Sequence, residues 1–431
     1  MVNRPSIVLV TCHDLGTYLH CYGVPTPATP NLDRLAGEGL QFTNAFCVAP
    51  QCSPSRSAIA TGRYPHSNGV MGLTHHPFDW DLYPDEKHIA QILKDLGYAT
   101  FLLGHQHVTT NPSRLGFDLM FHDRRGEAVV NEFRRIVQAH DFQASPAYFE
   151  INLNQTHRPY EGEGLDVQSQ REVFVPGFLP EAPESRDEML QFYRSVEVAD
   201  KLVGDVLEIV DQYGLRNEII FVFTTDHGIA MPRAKCTLYD PGLRVSLLLR
   251  WPAGSFPTGQ KIDSLVSNVD ILPTLLAMIG IDPLPEFLQG KSFLPSMVDD
   301  RAVRDEVFAE KTFHSYYDPM RAIRTDRYKY IVNFESSFLV EVPGDIQMGV
   351  IFRRFTQLYS ATQHPVIELY DLESDPLEEH NLAGNPDYAD IERDLRGRLL
   401  QWMEATDDPL LQGPVASPSY RKALNVLKES P

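Results

Sequence analysis

The sequence predicts an α/β fold, a large and mostly parallel sheet covered by helices on both faces, with a smaller α+β unit after it. Three observations carry this reading. Continuous apolar, β-branched runs of strand length recur through the first half of the chain, they alternate with segments of 3.6-residue apolar period, and the pattern changes near Glu306.

The first run, Ser6 to Thr11, has the composition of a strand buried on both faces. Comparable runs follow at Ala99 to Leu103, Ala147 to Leu153 and Ile219 to Thr224. Between them, Glu86 to Leu96 places Ile89, Ile92, Leu93 and Leu96 on one helical face, and Val196 to Val210 does so with Ala199, Leu202, Val203, Val206, Leu207 and Val210. Beyond Glu306, Met320 to Phe334 and Val366 to Tyr370 read as strands and Ala389 to Thr406 as a terminal helix. We therefore expect a large domain over 1–305, the one to search for a site, and a smaller subdomain with antiparallel strands and a terminal helix over 306–431. The stretch Pro159 to Pro183, rich in Pro, Gly and Glu, and the segment Thr74 to Tyr83 read as long connections able to face a substrate.

Sites in open α/β sheets gather at the carboxyl ends of the strands. Each apolar run is followed there by side chains suited to metal binding or proton transfer: Cys12-His13-Asp14, His105-Gln106-His107, Asn154-Gln155-Thr156-His157 and Asp226-His227. One such loop is commonplace, but four at equivalent topological positions point to a single site.

Composition narrows the chemistry. The 431 residues carry 38 Lys and Arg against 58 Asp and Glu, a net charge of −20, which argues against nucleic-acid binding and requires any anionic substrate to be held by local groups. No apolar run is long enough to span a membrane, and the N-terminal residues lack the apolar core of a secretory signal, so a cytoplasmic protein is expected. The five cysteines form no C-x-x-C pair and are odd in number, which leaves at least one thiol unpaired.

The most informative stretch is Cys52-Ser53-Pro54-Ser55-Arg56 with Thr61-Gly62-Arg63 downstream. Ser53 and Pro54 suit the N-cap and first turn of a helix, whose free N–H groups and dipole would receive a tetrahedral anion and depress a thiol pKa. Arg56, one turn in, is placed for charge-assisted bonds to an oxyanion or nucleophile.

These residues resemble the sulfatase signature, C-x-P-x-R followed by T-G-R, in which the cysteine is oxidised by a separate enzyme to formylglycine. The resemblance extends to His13-Asp14-Leu15 with Cys21-Tyr22-Gly23, to Asp226-His227-Gly228, and to Leu369-Tyr370-Asp371-Leu372 with Asp375-Pro376 and Asn381-Leu382. Met71-Gly72-Leu73, Gly104 to Val108, Met320-Arg321-Ala322 and Trp402 to Pro409 are most similar to the sulfamidase (heparan N-sulfatase) branch. The resemblance implies an alkaline phosphatase-like fold. It also implies one divalent cation held by Asp14, the oxidised Cys52, Asp226 and His227. His13 stands where the family usually has a second Asp, as a ligand or as a residue behind the ligands. Calcium is the family default, while the two imidazoles make manganese or zinc an alternative.

By the same resemblance, His107 takes a proton from the hemiacetal to expel sulfate, and Lys235 grips sulfate and protonates the leaving group, a role His157 shares. His105 replaces a family lysine, so its charge would depend on pH. Asn154 replaces the first histidine of an H-x-x-H segment and, with His157, would contact substrate. The implied reaction is hydrolysis of a sulfate ester or sulfamate: one hydroxyl of the Cys52-derived hydrate attacks sulfur, and the other, deprotonated by His107, releases sulfate. The implied partners are a sulfated small molecule or saccharide and the maturation enzyme, with no nucleic acid and no membrane. Two alternatives stand beside this: a phosphonate monoester or phosphodiester hydrolase, and a non-catalytic anion-binding protein with a degenerate site.

Overall fold

Ser6–Cys12 (β1) is buried along its whole length because successive residues serve two cores. Val8 and Val10 pack with Phe133, Phe192 and Val203 on one side, while Ile7 and Leu9 pack with Leu93, Leu272 and Leu275 on the other. Each such side chain contributes about 1.5–3 kcal/mol on burial, which is why this strand reads as continuously apolar. The computed structural model describes residues 4–160, 173–254, 256–335, 340–361 and 363–428. The expected connection Pro159 to Pro183 thus lies in part, at 161–172, outside the described residues.

Leu40–Phe42 (β2), Ala99–Gly104 (β3), Leu119–Phe121 (β4), Ala147–Asn152 (β5), Ile219–Thr225 (β6), Leu247–Arg250 (β7) and Gln260–Ile262 (β8) complete an eight-stranded sheet with β1, in the order β4-β3-β5-β1-β6-β7-β2-β8. Every neighbouring pair is parallel except those made by β7, which runs against both β6 and β2. Register aligns the strand ends: Thr11 lies beside Asn152, Asn152 beside Gly104, and Cys12 beside Thr225. The loops that follow these strands therefore emerge side by side.

The helices lie as the periodicity requires, with shifted ends. Ile89–Asp95 starts later than expected because the His88 ring accepts the Ala90 N–H and caps it. The segment Val196 to Val210 is the second half of one helix, Pro183–Gln212, whose apolar stripe begins earlier with Met189 and Phe192.

Glu306–Phe313 (β9) opens a separate antiparallel sheet with Tyr317–Thr325 (β10), Tyr328–Asn333 (β11) and Ile367–Asp371 (β12), in that order. Ile323, Tyr330 and Leu369 pack under Leu395, Leu399 and Trp402 of the helix Ala389–Ala405, while Met320, Ala322 and Ile331 join the core of the large sheet. This is the mixed, mostly parallel α/β fold with a smaller antiparallel sheet that the sequence predicts. No helix among the described residues is long and apolar enough to cross a membrane.

Candidate active site

The four strand-end loops converge, and backbone hydrogen bonds tie them together: His13 N–H donates to Gln155 O at 2.9 Å, Thr156 N–H to His13 O at 2.9 Å, and Asp226 N–H to Cys12 O at 3.2 Å. Above them opens a cavity of about 430 Å³ lined by His13, Cys52, His105, His107, Asn154, His157 and Lys235. Asp14, Asp226 and His227 are fully buried and Arg56 nearly so. Every residue predicted for the site is in this region.

At the floor, donor atoms of His13, Asp14, Cys52 and Asp226 all lie within 4.8 Å of one another. Asp226 Oδ1 accepts the backbone N–H groups of Asp14 and His227, each at 2.9 Å, and Oδ2 accepts Arg56 Nε–H at 3.1 Å. Burial alone would raise the Asp226 pKa; the neighbouring groups, the Arg56 guanidinium among them, outweigh it and hold this carboxylate well below its ordinary range. Asp14 is likewise lowered against burial, chiefly by Lys235, whose Nζ is 3.0 Å from Oδ2.

His227 is the most telling group. Its Nδ1 lies 2.9 Å from Gly228 O, so that nitrogen carries the proton of the neutral ring. Burial lowers the His227 pKa, so Nε2 presents a lone pair 3.2 Å from Asp14 Oδ1 and within hydrogen-bond reach of Cys52 Sγ at 3.4 Å. Two electron-rich atoms in that apposition call for a cation between them, and a backbone carbonyl behind an imidazole is the usual way a ligand's tautomer is set. His13 Nδ1 lies 3.1 Å from Asp226 Oδ2, and burial and Arg56 lower the His13 pKa to about 4. Two carboxylates, two neutral imidazoles and residue 52 fit a divalent cation.

Three expectations need correction. The helix is Cys52–Thr61 with Gln51 at the N-cap, so Cys52 itself, rather than Pro54, opens the first turn. The Cys52 thiol pKa is raised, because burial and the adjacent Asp14 and Asp226 outweigh Lys235 and Arg56. A thiolate nucleophile is thereby disfavoured. His105 is held at about 2 by burial, then by His13 and Arg56, so it stays neutral throughout the ordinary pH range and can serve only as a hydrogen-bonding group.

Around the cavity, His107 Nε2 lies 2.9 Å from His75 Nδ1, its own Nδ1 is unpartnered, and burial followed by His105 lowers its pKa well below that of free imidazole. Lys235 bridges Asp14 and Asp345 at 3.0 and 2.8 Å; burial opposes its charge, yet the two carboxylates raise its pKa well above the ordinary value. His157 Nδ1 faces Arg158 O at 2.6 Å, which leaves Nε2 for the cavity.

His75, Arg124, Asp345 and His314 also line the cavity and were missed. Only His75 had a signal, lying within the segment Thr74 to Tyr83. Asn152, which accepts Arg56 Nη1–H at 3.0 Å, was hidden as the last residue of a strand. Several motif residues prove architectural. Gly62 ends the signature helix at φ 65°, where a Cβ would meet Leu288 Cδ2 at 2.6 Å. Tyr22 bridges Phe42 and Leu247 through its hydroxyl. Arg321, fully buried, pairs with Asp408 and Glu310, so Met320-Arg321-Ala322 and Trp402 to Pro409 meet in an ion cluster outside the cavity lining.

The family described as Sulfatase matches residues 5–281, and that described as N-sulphoglucosamine sulphohydrolase, C-terminal, matches residues 232–343. The chain belongs to the sulfatase family. It is 31% identical to an ulvan-active sulfatase of Formosa agariphila over 99% of this chain and 86% of that protein. It is also 27% identical to human N-sulphoglucosamine sulphohydrolase over 95% and 92%. Among solved structures, a 2-O GAG sulfatase superposes with TM-score 0.74 at 20% identity over 97% and 99% of the two chains. A second, solved in complex with its substrate D-glucosamine-2-N,6-O-disulfate, superposes with TM-score 0.71 at 19% identity over 94% and 98%. The sulfatase fold thus covers nearly the whole chain, the small antiparallel sheet included.

Proposed function

We propose that this sulfatase hydrolyses a sulfate ester or sulfamate of a saccharide, with formylglycine at position 52 and one divalent cation held by Asp14, Asp226, His227 and residue 52, His13 completing the set. The observation that carries the reading is the His227 Nε2 lone pair facing Asp14 and Cys52 at the first turn of a buried helix. Calcium is the family's ion, and the imidazoles keep manganese or zinc in competition. When present, the two groups supply a hydrated aldehyde as nucleophile and a charge that lowers its pKa and polarises sulfate.

The rest falls to the chain's own residues. Arg56 holds Asp226 in place and adds positive charge beneath the site. Lys235, kept protonated by Asp14 and Asp345, is a fixed charge for the sulfuryl oxygens, which assigns leaving-group protonation to His157. His107, neutral and with a free Nδ1, is the base for the hydroxyl proton of residue 52. His105 and Asn154 contact the substrate as neutral partners. Residues 1–305 form the catalytic unit, and 306–431 a smaller unit that lends Asp345 and His314 to the cavity wall.

A saccharide substrate is supported by the sulfated glucosamine bound to one structural relative and by the names of the sequence relatives. The test is a mass spectrum of the Cys52 peptide from protein produced with a formylglycine-generating enzyme. It is paired with release of sulfate or phosphonate from matched sulfated sugars, sulfamates and phenylphosphonate esters, with and without chelator. A mass about 18 Da lower, with chelator-sensitive sulfate release, is expected. Turnover of phosphonate in preference to every sulfate would replace the sulfatase reading with the phosphonate one.

A further inference from the structure

The cavity above residue 52 holds more positive charge than catalysis at sulfur accounts for. At about 430 Å³ it is of a size to enclose a small organic ligand as well as the sulfuryl group. Its lining includes two permanent cations, Lys235 and Arg124. Lys235 is already committed, 3.0 Å from Asp14 and 2.8 Å from Asp345. The His314 ring pairs with Glu341 at 3.3 Å.

Arg124 is different. It lies between Leu119–Phe121 and the helix Gly126–Ala139, exposed at the cavity rim. The adjacent Asp123 is spent on Arg125, which reaches both its oxygens at 3.1 and 2.6 Å. No carboxylate within ion-pair distance of the Arg124 side chain exists among the described residues, although 58 acids are available in the chain. The charge of Arg124 reaches His75 and His105 across the cavity, where it adds to the burial that lowers both their pKa values. An arginine left unpaired at the rim of this cavity, in a protein of net charge −20, is a local attractor for an anion.

We propose that Arg124 recognises a second anionic group on the substrate, a uronate carboxylate or a further sulfate, so that the preferred substrate is a saccharide bearing at least two negative charges. The guanidinium binds either group through paired N–H donors. This rests on the sulfatase reading and specifies its substrate class.

The test uses the formylglycine-bearing full chain and its Arg124→Ala and Arg124→Lys variants. The probes are a monosulfated sugar, the same sugar with a second sulfate, and the same sulfated sugar linked to glucuronate. The wild type should favour at least one dianionic probe. Arg124→Ala should lower that preference in kcat/KM roughly 10- to 100-fold, mainly through KM, as expected for losing a charge-assisted contact. Arg124→Lys should recover part of it, since charge returns without the planar fork. Which dianion responds identifies the second group. Equal effects on the monosulfate and the dianions, or no preference in the wild type, would overturn the role of Arg124 and leave the sulfatase reading standing. Failure of the wild type to release sulfate from any probe would remove the sulfatase reading itself.

Discussion

At the floor of the cavity each charged group has an oppositely charged partner in contact: Asp226 with Arg56, Asp14 with Lys235, and Lys235 again with Asp345. At the rim, Arg124 has none among the described residues. The floor is made of strand ends and one buried helix turn, where backbone N–H groups and fixed tautomers hold the side chains before any substrate arrives. The rim is made of loops, where a charge can remain unpaired because water solvates it. Chemistry common to all substrates belongs on the first kind of support and choice among substrates on the second.

Substitutions should separate the two regions by the size and kind of their effect. Cys52→Ala removes the precursor of the nucleophile and should cut turnover of every substrate by roughly 10⁴-fold or more with Tm unchanged; residual activity near the wild type, assayed as sulfate release, would contradict the scheme. His107→Ala should lower kcat by about 10²–10⁴-fold. Because burial and His105 depress the His107 pKa, the wild-type base stays unprotonated as pH falls through about 6.5, the value for free imidazole. The acid limb of the kcat/KM profile is therefore expected below that pH, and a limb at or above it would remove His107 as the base.

Asp226→Asn should weaken the cation site by more than the roughly 10- to 100-fold typical of residues behind a ligand, read by metal titration of the purified protein. It should also loosen Arg56, whose Nε–H donates to Oδ2. Trp402→Ala tests the opposite extreme. Its ring stacks on Phe308 at 4.9 Å beneath the small sheet, so its loss should cost about 3–5 kcal/mol of stability, read by denaturant unfolding. It should leave kcat/KM near the wild type well below the melting temperature. The smallest effect on general turnover belongs to Arg124, whose replacement should reorder substrates.

The two-faced burial of Ser6–Cys12 was legible because a strand serving two cores is apolar at successive positions, as Ile7 to Val10 are. The positions of the site residues were legible because parallel strands deliver their following loops to one edge. Helix ends were less so: His88 and Gln51 became N-caps through local backbone geometry that composition does not encode. The motif segments around Tyr22, Gly62 and Arg321 showed up as motifs, yet only packing reveals that they brace the fold rather than touch the cavity.

What the sequence by itself determined is the class of chemistry, since residue type and order at strand ends limit which ligands and bases can meet. The tertiary structure decided their states. The protonation of His105, the raised thiol of Cys52, the commitment of Lys235 and the freedom of Arg124 all follow from burial and from partners far away in the chain, and desolvation and Coulomb energy depend on distances that sequence separation does not fix.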